Sequence, residues 1–338
     1  MNIPEGRYYR VVQDRPSTVQ CGLCPHRCVL KQGTFGLCKV RQGSEGALAL
    51  PYYGSISSIS IDPIEKKPLY HFRPGSSIFS VGFVGCNLHC PFCQNWEISQ
   101  KTDITFRSIS PAELIKLAAD SGTDAVAFTY SEPLVHIEYL LEAMGEAKKR
   151  GLATVLVSNG CINEEPAKDV LSLTDAANID LKSFHSDTYR NQLGGDLAAV
   201  CRFLELAREM NVHLEVTTLV VTGLNDSIAE AEGIVEFLSG LSPDIPWHLS
   251  AYHPAYRWRE GPTKQELLFQ IKNLVRGRLS YVYLGNIWGE TNQTLCSHCG
   301  KSLVERSGYH IETPGLELNE ETKAYFCSHC GKPAPIYY

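Results

Sequence analysis

The sequence predicts an α/β protein built on a partial (β/α)6 TIM-like barrel, with a small Cys-rich segment before it and another after it. Three observations predict this. From Ser77 onward, apolar strand-like runs alternate with amphipathic helical runs. The helical runs carry their own start and stop residues. The 13 cysteines are clumped at the two ends of the chain and after the first strand rather than spread. The expected division is residues 1–76, 77–290 and 291–338.

Each element follows from its residues. Residues 1–76 are rich in Gly, Pro and Cys, with short strand-like pieces such as "ALALPYYGSISSISI". "SIFSVGFVG" reads as a buried strand. Ser110, Pro111 and Glu113 supply an N-cap, a proline at the first helical position and a capping-box acid. "AELIKLAADSG" follows as a helix and "DAVAFTY" as a strand. "HIEYLLEAMGEAKKRG" is a helix with basic residues in its last turn and Gly151 behind them. The alternation continues through "LATVLVS", "EEPAKDVLSL", "AANIDLK", "DLAAVCRFLELAREM", "HLEVTTLVV", "SIAEAEGIVEFLSGL", "WHLSAY", "TKQELLFQIKNLVRG" and a last piece, "YVYLGNI". Apolar strands between helices imply a parallel sheet with covered faces. A doubly wound open sheet is the alternative.

Composition narrows the function classes. A chain of 338 residues buries one large core with small additions. The net charge of −6 argues against a nucleic-acid partner bound over a broad surface. The polar start "MNIPEGRYYRVVQDRP" has no apolar signal region, and no apolar run approaches a membrane span. The expectation is a cytoplasmic protein with no membrane partner.

The cysteines fall into groups with metal-ligand spacing: Cys21, Cys24, Cys28 and Cys38; Cys86, Cys90 and Cys93; Cys296, Cys299, Cys327 and Cys330. Tight turns at x2 and x3 spacing point thiolates at one centre. The last group, two "CSHCG" knuckles, reads as a zinc ribbon that folds a segment with little core. The first is a complete four-ligand site; its x2 knuckle and later lone cysteine suit zinc, and a second [4Fe–4S] cluster is the alternative.

The middle group has three cysteines only. His89 would complete a Cys3His zinc site. The strand ends argue for another arrangement, because working residues gather at the carboxyl ends of parallel strands. Those ends offer Tyr130, Ser131 and Glu132; Ser158 and Asn159; Asp180 and Lys182; Thr217 and Thr218; and His253. A structural zinc loop has no use for such a rim. Three thiolates can instead hold three irons of a [4Fe–4S] cluster and leave the fourth open to a chelating amino acid. Glu132 and Lys182 suit that ligand's amine and carboxylate.

The motif "CNLHCPFC", with "YSEP", "SNG", "DLK" and "YHP", resembles the radical S-adenosylmethionine (SAM) superfamily and its glycyl-radical-enzyme activase branch. The longer stretches "CGLCPHRCVL", "GLCKVR", "DPIEKKPLYHFRPGS", "DLKSF" and "WHLSAYHPAYR" resemble the radical SAM enzyme of the AmmeMemoRadiSam system. The resemblance implies an enzyme that reductively cleaves SAM at a [4Fe–4S] cluster, releasing methionine and a 5′-deoxyadenosyl radical that takes hydrogen from a substrate. It implies metal ligands at Cys86, Cys90 and Cys93 and SAM contacts at Tyr130, Ser131, Glu132, Ser158, Asn159, Asp180, Lys182 and His253. It also implies an electron donor such as flavodoxin or ferredoxin, with Memo-like and AMMECR-like proteins as associated partners. "YSEP" departs from the Gly-Gly-Glu form common in the superfamily. Rival readings are an activase acting on a protein and a non-catalytic iron–sulfur or zinc scaffold.

Four features stand apart. "DPIEKKPLYHFRPG" reads as a solvated charged turn, or as a segment placing Lys67 or His71 over the barrel mouth. "YHPAYRWREG" reads as an ordinary loop. Cys161 and Cys201 read as small buried hydrophobes.

Overall fold

The computed structural model describes residues 3–101, 103–289 and 291–338. Its body is an eight-stranded sheet. β1 (Ser58–Pro63) runs antiparallel on one edge against β2 (Ser77–Gly82). β3 (Ala125–Thr129), β4 (Ala153–Ser158), β5 (Ala176–Asp180), β6 (His213–Val220), β7 (Trp247–Ala251) and β8 (Val282–Gly285) follow, each parallel to the one before. The crossovers contain α1 (Pro111–Asp120), α2 (Ile137–Lys149), α3 (Glu164–Leu171), α4 (Leu197–Glu209), α5 (Ile228–Leu241) and α6 (Gln265–Leu274). The expected capping box is present: Ser110 Oγ accepts from Glu113 N, and the Glu113 carboxylate accepts from Ser110 N.

Strand order follows chain order without a reversal. Right-handed crossovers in that order put every helix on one face. The doubly wound alternative needs a reversal and is excluded. β1 and β8 are the two edges and are not paired with each other.

The two faces are filled differently. Val126, Phe128, Leu156 and Ile179 point to the helices and join the large core. Ala125, Ala127, Ala153 and Ala176 point the other way, and these small side chains leave depth on the inner face. The chain fills that depth itself: Ile64, Leu69 and Phe72 pack against the alanines. Polar side chains of the inner face grip the same segment. Asn178 Nδ2 donates to Pro68 O at 2.7 Å. The Glu215 carboxylate accepts from the amides of Tyr70 (3.0 Å) and His71 (2.7 Å) and from the rings of His213 (2.9 Å) and His248 (2.6 Å). The expected solvated turn is therefore wrong. Lys67 and His71 are each 1% exposed, because the segment plugs the sheet rather than crossing its surface. β1 and the plug lie within residues 1–76, yet both pack as parts of the main body.

The C-terminal segment folds as Thr291–Leu295, Ser302–Ser307 and His310–Glu312, then a two-stranded ribbon of Leu316–Asn319 and Ala324–Cys327. It is tied to the plug: Arg306 Nη2 donates to Tyr70 O, and Tyr337 N donates to His71 O at 2.7 Å. The N-terminal segment forms an antiparallel sheet of Tyr9–Val12, Arg15–Cys21 and Val29–Leu30. A buried Arg41–Glu138 ion pair at 2.8 Å anchors it to α2. Among the described residues, no helix is long and apolar enough to cross a membrane.

Candidate functional site

β2 ends at Gly82, and the loop beyond it carries Cys86, Cys90 and Cys93 to the carboxyl end of the sheet. Gly85 makes this turn possible. Its φ is +86°, and a Cβ there would stand 2.5 Å from Cys38 O, so the N-terminal segment rests directly on this loop. Three thiols of the loop open into one cavity of about 340 Å³. The same cavity is lined by Tyr130, Ser131, Glu132, Ser158, Asn159, Asp180 and Lys182. The strand-end reading thus brings together all of its SAM-contact candidates except one. His253 is exposed and does not line the cavity; its Nε2 stands 3.4 Å from Asn286 O, and Asn286 is the residue on the wall.

The groups in the cavity are chemically distinct. Lys182 Nζ pairs with Asp180 at 2.8 Å. Burial works against the lysine's charge, but Asp180 and Cys90 outweigh it and hold its pKa above the ordinary lysine range. Glu132 is buried, and its oxygens accept from Ser158 Oγ (2.7 Å), Leu134 N (3.0 Å) and Asn159 N (2.9 Å). Burial pushes its carboxyl up to about 7, against those three donors. A carboxylate has about four acceptor positions, so one remains for a ligand. Ser131 Oγ is buried with no partner. Tyr130 adopts φ +70°, the left-handed region that glycine favours. The backbone of "YSEP" therefore takes a glycine-like turn without a glycine, and Asn95 Nδ2 steadies it by donating to Tyr130 O at 2.6 Å.

Sequence reasoning missed Lys66 on this wall, while Lys67 over the barrel mouth was one of its two readings of that segment. Lys66 and Lys67 line the cavity, both paired with Asp62, at 2.8 and 2.7 Å. Lys67 Nζ also lies 3.4 Å from the Tyr130 hydroxyl, which donates to Asp62. The signal for Lys66 was its place beside Lys67 in the short run between Pro63 and Pro68. Thr217 also lines the cavity, whereas Thr218 turns outward to Leu181 O and Trp247 Nε1. The loop "YHPAYRWREG" docks on the cysteine loop, with the amides of Arg257 and Trp258 on Pro91 O and Trp96 stacked on Tyr256. Cys161 is buried, as expected, and Cys201 is half-buried in α4.

The residues present fit a cluster with an open iron. Among the described residues, the sulfurs of Cys86, Cys90 and Cys93 do not all lie within 4.8 Å of one another, as one shared ion would require. Burial pushes Cys90 up to about 11 and Cys86 well above its ordinary value, so their thiolates call for a positive partner. Donors are in place around the sulfurs: Leu88 N at 3.3 Å and Asn159 Nδ2 at 3.7 Å from Cys86, and Ser99 Oγ at 3.3 Å from Cys93. The orphaned Ser131 hydroxyl and the Asp180–Lys182 pair suit a polar, zwitterionic ligand. His89 does not line the cavity; its Nδ1 is 3.0 Å from Gln100 Oε1.

The two terminal cysteine groups differ from each other. Cys296, Cys299, Cys327 and Cys330 have all four sulfurs within 4.8 Å, with Cys296–Cys330 and Cys299–Cys327 contacts of 3.7 Å. Each knuckle closes on a glycine, Gly300 N to Cys296 O and Gly331 N to Cys327 O. This is a four-thiolate metal-binding geometry. Cys21, Cys24, Cys28 and Cys38 instead line a small enclosed pocket with Leu23, Leu30, Arg41 and Val135.

Comparison with known proteins agrees with this geometry. The sequence profile of the radical SAM superfamily matches residues 80–238. The chain is 36% identical over 325 residues to the uncharacterized protein MJ0808 of Methanocaldococcus jannaschii, covering 94% of this chain and 96% of that protein. It is 22% identical over 215 residues to the pyruvate formate-lyase 1-activating enzyme of Escherichia coli K12, covering 58% of this chain and 87% of that enzyme. Streptococcus suis SuiB bound to S-adenosylmethionine superposes with a TM-score of 0.50 at 12% identity, over 60% of this chain and 49% of that one, a likeness of fold alone.

Proposed function

We propose, for a chain that belongs to the radical SAM superfamily, that it is an enzyme that reductively cleaves SAM at a [4Fe–4S] cluster held by Cys86, Cys90 and Cys93, and that the nucleoside fragment takes hydrogen from a substrate. The observation that carries this reading is the shared cavity, where three thiols and an amino-acid-shaped set of charges face one space. When bound, the cluster supplies the electron that breaks a carbon–sulfur bond of SAM. The chain's own residues bind and orient. Asp180, Lys182 and the remaining acceptor position of Glu132 hold the amine and carboxylate of the methionine end. Ser131 Oγ and the Tyr130 backbone complete that cradle, and Ser158 and Asn159 keep Glu132 in place. The loop carrying Trp258 covers the cysteine loop and keeps water from it.

The finer reading places the chain in the AmmeMemoRadiSam branch, cytoplasmic, served by a flavodoxin- or ferredoxin-like donor, with zinc at Cys296, Cys299, Cys327 and Cys330. Residues 77–290, together with β1 and the plug from within 1–76, are the catalytic body; the rest of 1–76 is the N-terminal extension and 291–338 the C-terminal module. The match to an activating enzyme favours a second version, in which the substrate is a protein side chain or backbone. Anaerobically reconstituted protein, given reductant and SAM, is expected to yield 5′-deoxyadenosine by mass spectrometry. Cys90→Ala removes both that product and the SAM-linked iron, whereas His89→Ala keeps the iron. Full iron loading without SAM turnover refutes the reading.

A further inference from the structure

We propose that Cys21, Cys24, Cys28 and Cys38 hold a second [4Fe–4S] cluster, fully ligated and therefore an electron-carrying centre, and not zinc. The sulfur spacing carries the argument. Four thiolates on one zinc stand about 2.3 Å from it and crowd one another. Cys296, Cys299, Cys327 and Cys330 have that crowding, with all sulfurs within 4.8 Å. Among the described residues, no three of the N-terminal sulfurs do. In this they match Cys86, Cys90 and Cys93. In a cluster each thiolate binds a different iron, so the sulfurs stand further apart.

The pocket supports the same assignment. The four cysteines line one small enclosed space whose wall is otherwise largely apolar. Arg41 also lines the pocket, is 1% exposed, and its Nε is buried with no partner among the described residues. A sulfide-bearing anionic group gives that N–H an acceptor.

The position gives the centre a use. Cys38 O rests on Gly85, next to Cys86. On the other side, the His26 ring stands 2.8 Å from Asn87 O, and Asn87 Oδ1 accepts from Asn159 Nδ2, which also reaches Cys86 Sγ. The two cysteine sites thus share a wall of a few residues. The proposal rests on the reading of Cys86, Cys90 and Cys93 for its comparison of spacings and for the wild-type iron total; the Cys24→Ala variant reads the N-terminal site by itself.

The test reconstitutes chelator-stripped full-length protein anaerobically with ferrous iron, sulfide and an equal amount of zinc. Wild type is expected to hold about eight irons and about one zinc. The Cys86→Ala, Cys90→Ala, Cys93→Ala protein keeps about four irons and a reducible cluster signal in electron paramagnetic resonance. Adding Cys24→Ala removes that iron, while adding Cys299→Ala removes only zinc. About four irons and about two zincs in wild type, with the iron count unchanged by Cys24→Ala alone, would overturn the proposal. So would loss of the residual iron on Cys299→Ala but not on Cys24→Ala. About four irons with normal SAM turnover refutes this proposal and leaves the proposed function standing; about eight irons without turnover does the reverse.

Discussion

Replacing Glu215, which does not itself line the cavity, with alanine should loosen the plug of residues 64–72. Glu215 is 0% exposed and accepts four hydrogen bonds, two from the plug's backbone and two from histidine rings. Its loss leaves the amides of Tyr70 and His71 buried without acceptors, at about 1–3 kcal/mol each. Removing one member of a buried charged network costs about 3–5 kcal/mol, which agrees with that sum. The thermal midpoint should fall by about 4–7 °C. Amide exchange in the peptide spanning residues 64–72 should rise about 10²- to 10⁴-fold, since about 1.4 kcal/mol is a factor of ten. Burial pushes the Glu215 carboxyl up, but His213 and His248 outweigh it and hold it well below the usual range. A depressed carboxyl contributes fully above its unfolded value of 4.5 and is lost on acidification below it. The variant should therefore lose stability at neutral pH and differ less from wild type in acid. Hydrogen exchange by mass spectrometry and a thermal melt read both effects. A midpoint within about 1 °C of wild type, with unchanged exchange in residues 64–72, would refute the account of the plug.

Lys182→Ala should weaken SAM binding by about ten- to a hundredfold, as loss of a charge-assisted bond does, with iron content intact; equal affinity by equilibrium dialysis removes Lys182 from the cradle. Burial lowers the His71 pKa from 6.5 to about 3. Above 6.5 the ring is neutral in both states; as pH falls toward 3 the unfolded chain takes up a proton that the folded chain refuses, so stability drops across that window. His71→Asn should move the onset of acid destabilisation toward lower pH, and an unchanged pH profile of the melt counts against it. Cys299→Ala should release one metal per chain from the C-terminal site and make residues 291–338 sensitive to protease; persistence of both metal and protection sinks the metal-folded reading.

The sequence by itself determined what depends on neighbours along the chain. The βα alternation, the Ser110 cap and the cysteine spacings are local, because helix periodicity, capping and tight turns act over three to five residues. The rule that parallel strands present function at their carboxyl ends then made most of the cavity legible, from Tyr130 to Lys182. His253 shows where that rule stops: it follows a strand, but the turn carries it past the rim. Only the tertiary structure decided the rest. Glu215 and His71 are separated by 144 residues, and nothing near either one shows that a carboxylate in an apolar strand exists to hold a buried backbone segment. The sequence left open whether Lys67 sat in a solvated turn or over the barrel mouth; the alanines of β3, β4 and β5 leave depth for Ile64, Leu69 and Phe72, and the segment they anchor buries Lys67. The cysteine groups make the point most sharply. Sequence spacing showed three sets of thiols, but only the folded chain shows that the four C-terminal sulfurs lie within 4.8 Å of one another, whereas Cys21, Cys24, Cys28 and Cys38 line a pocket walled by Arg41 and Val135.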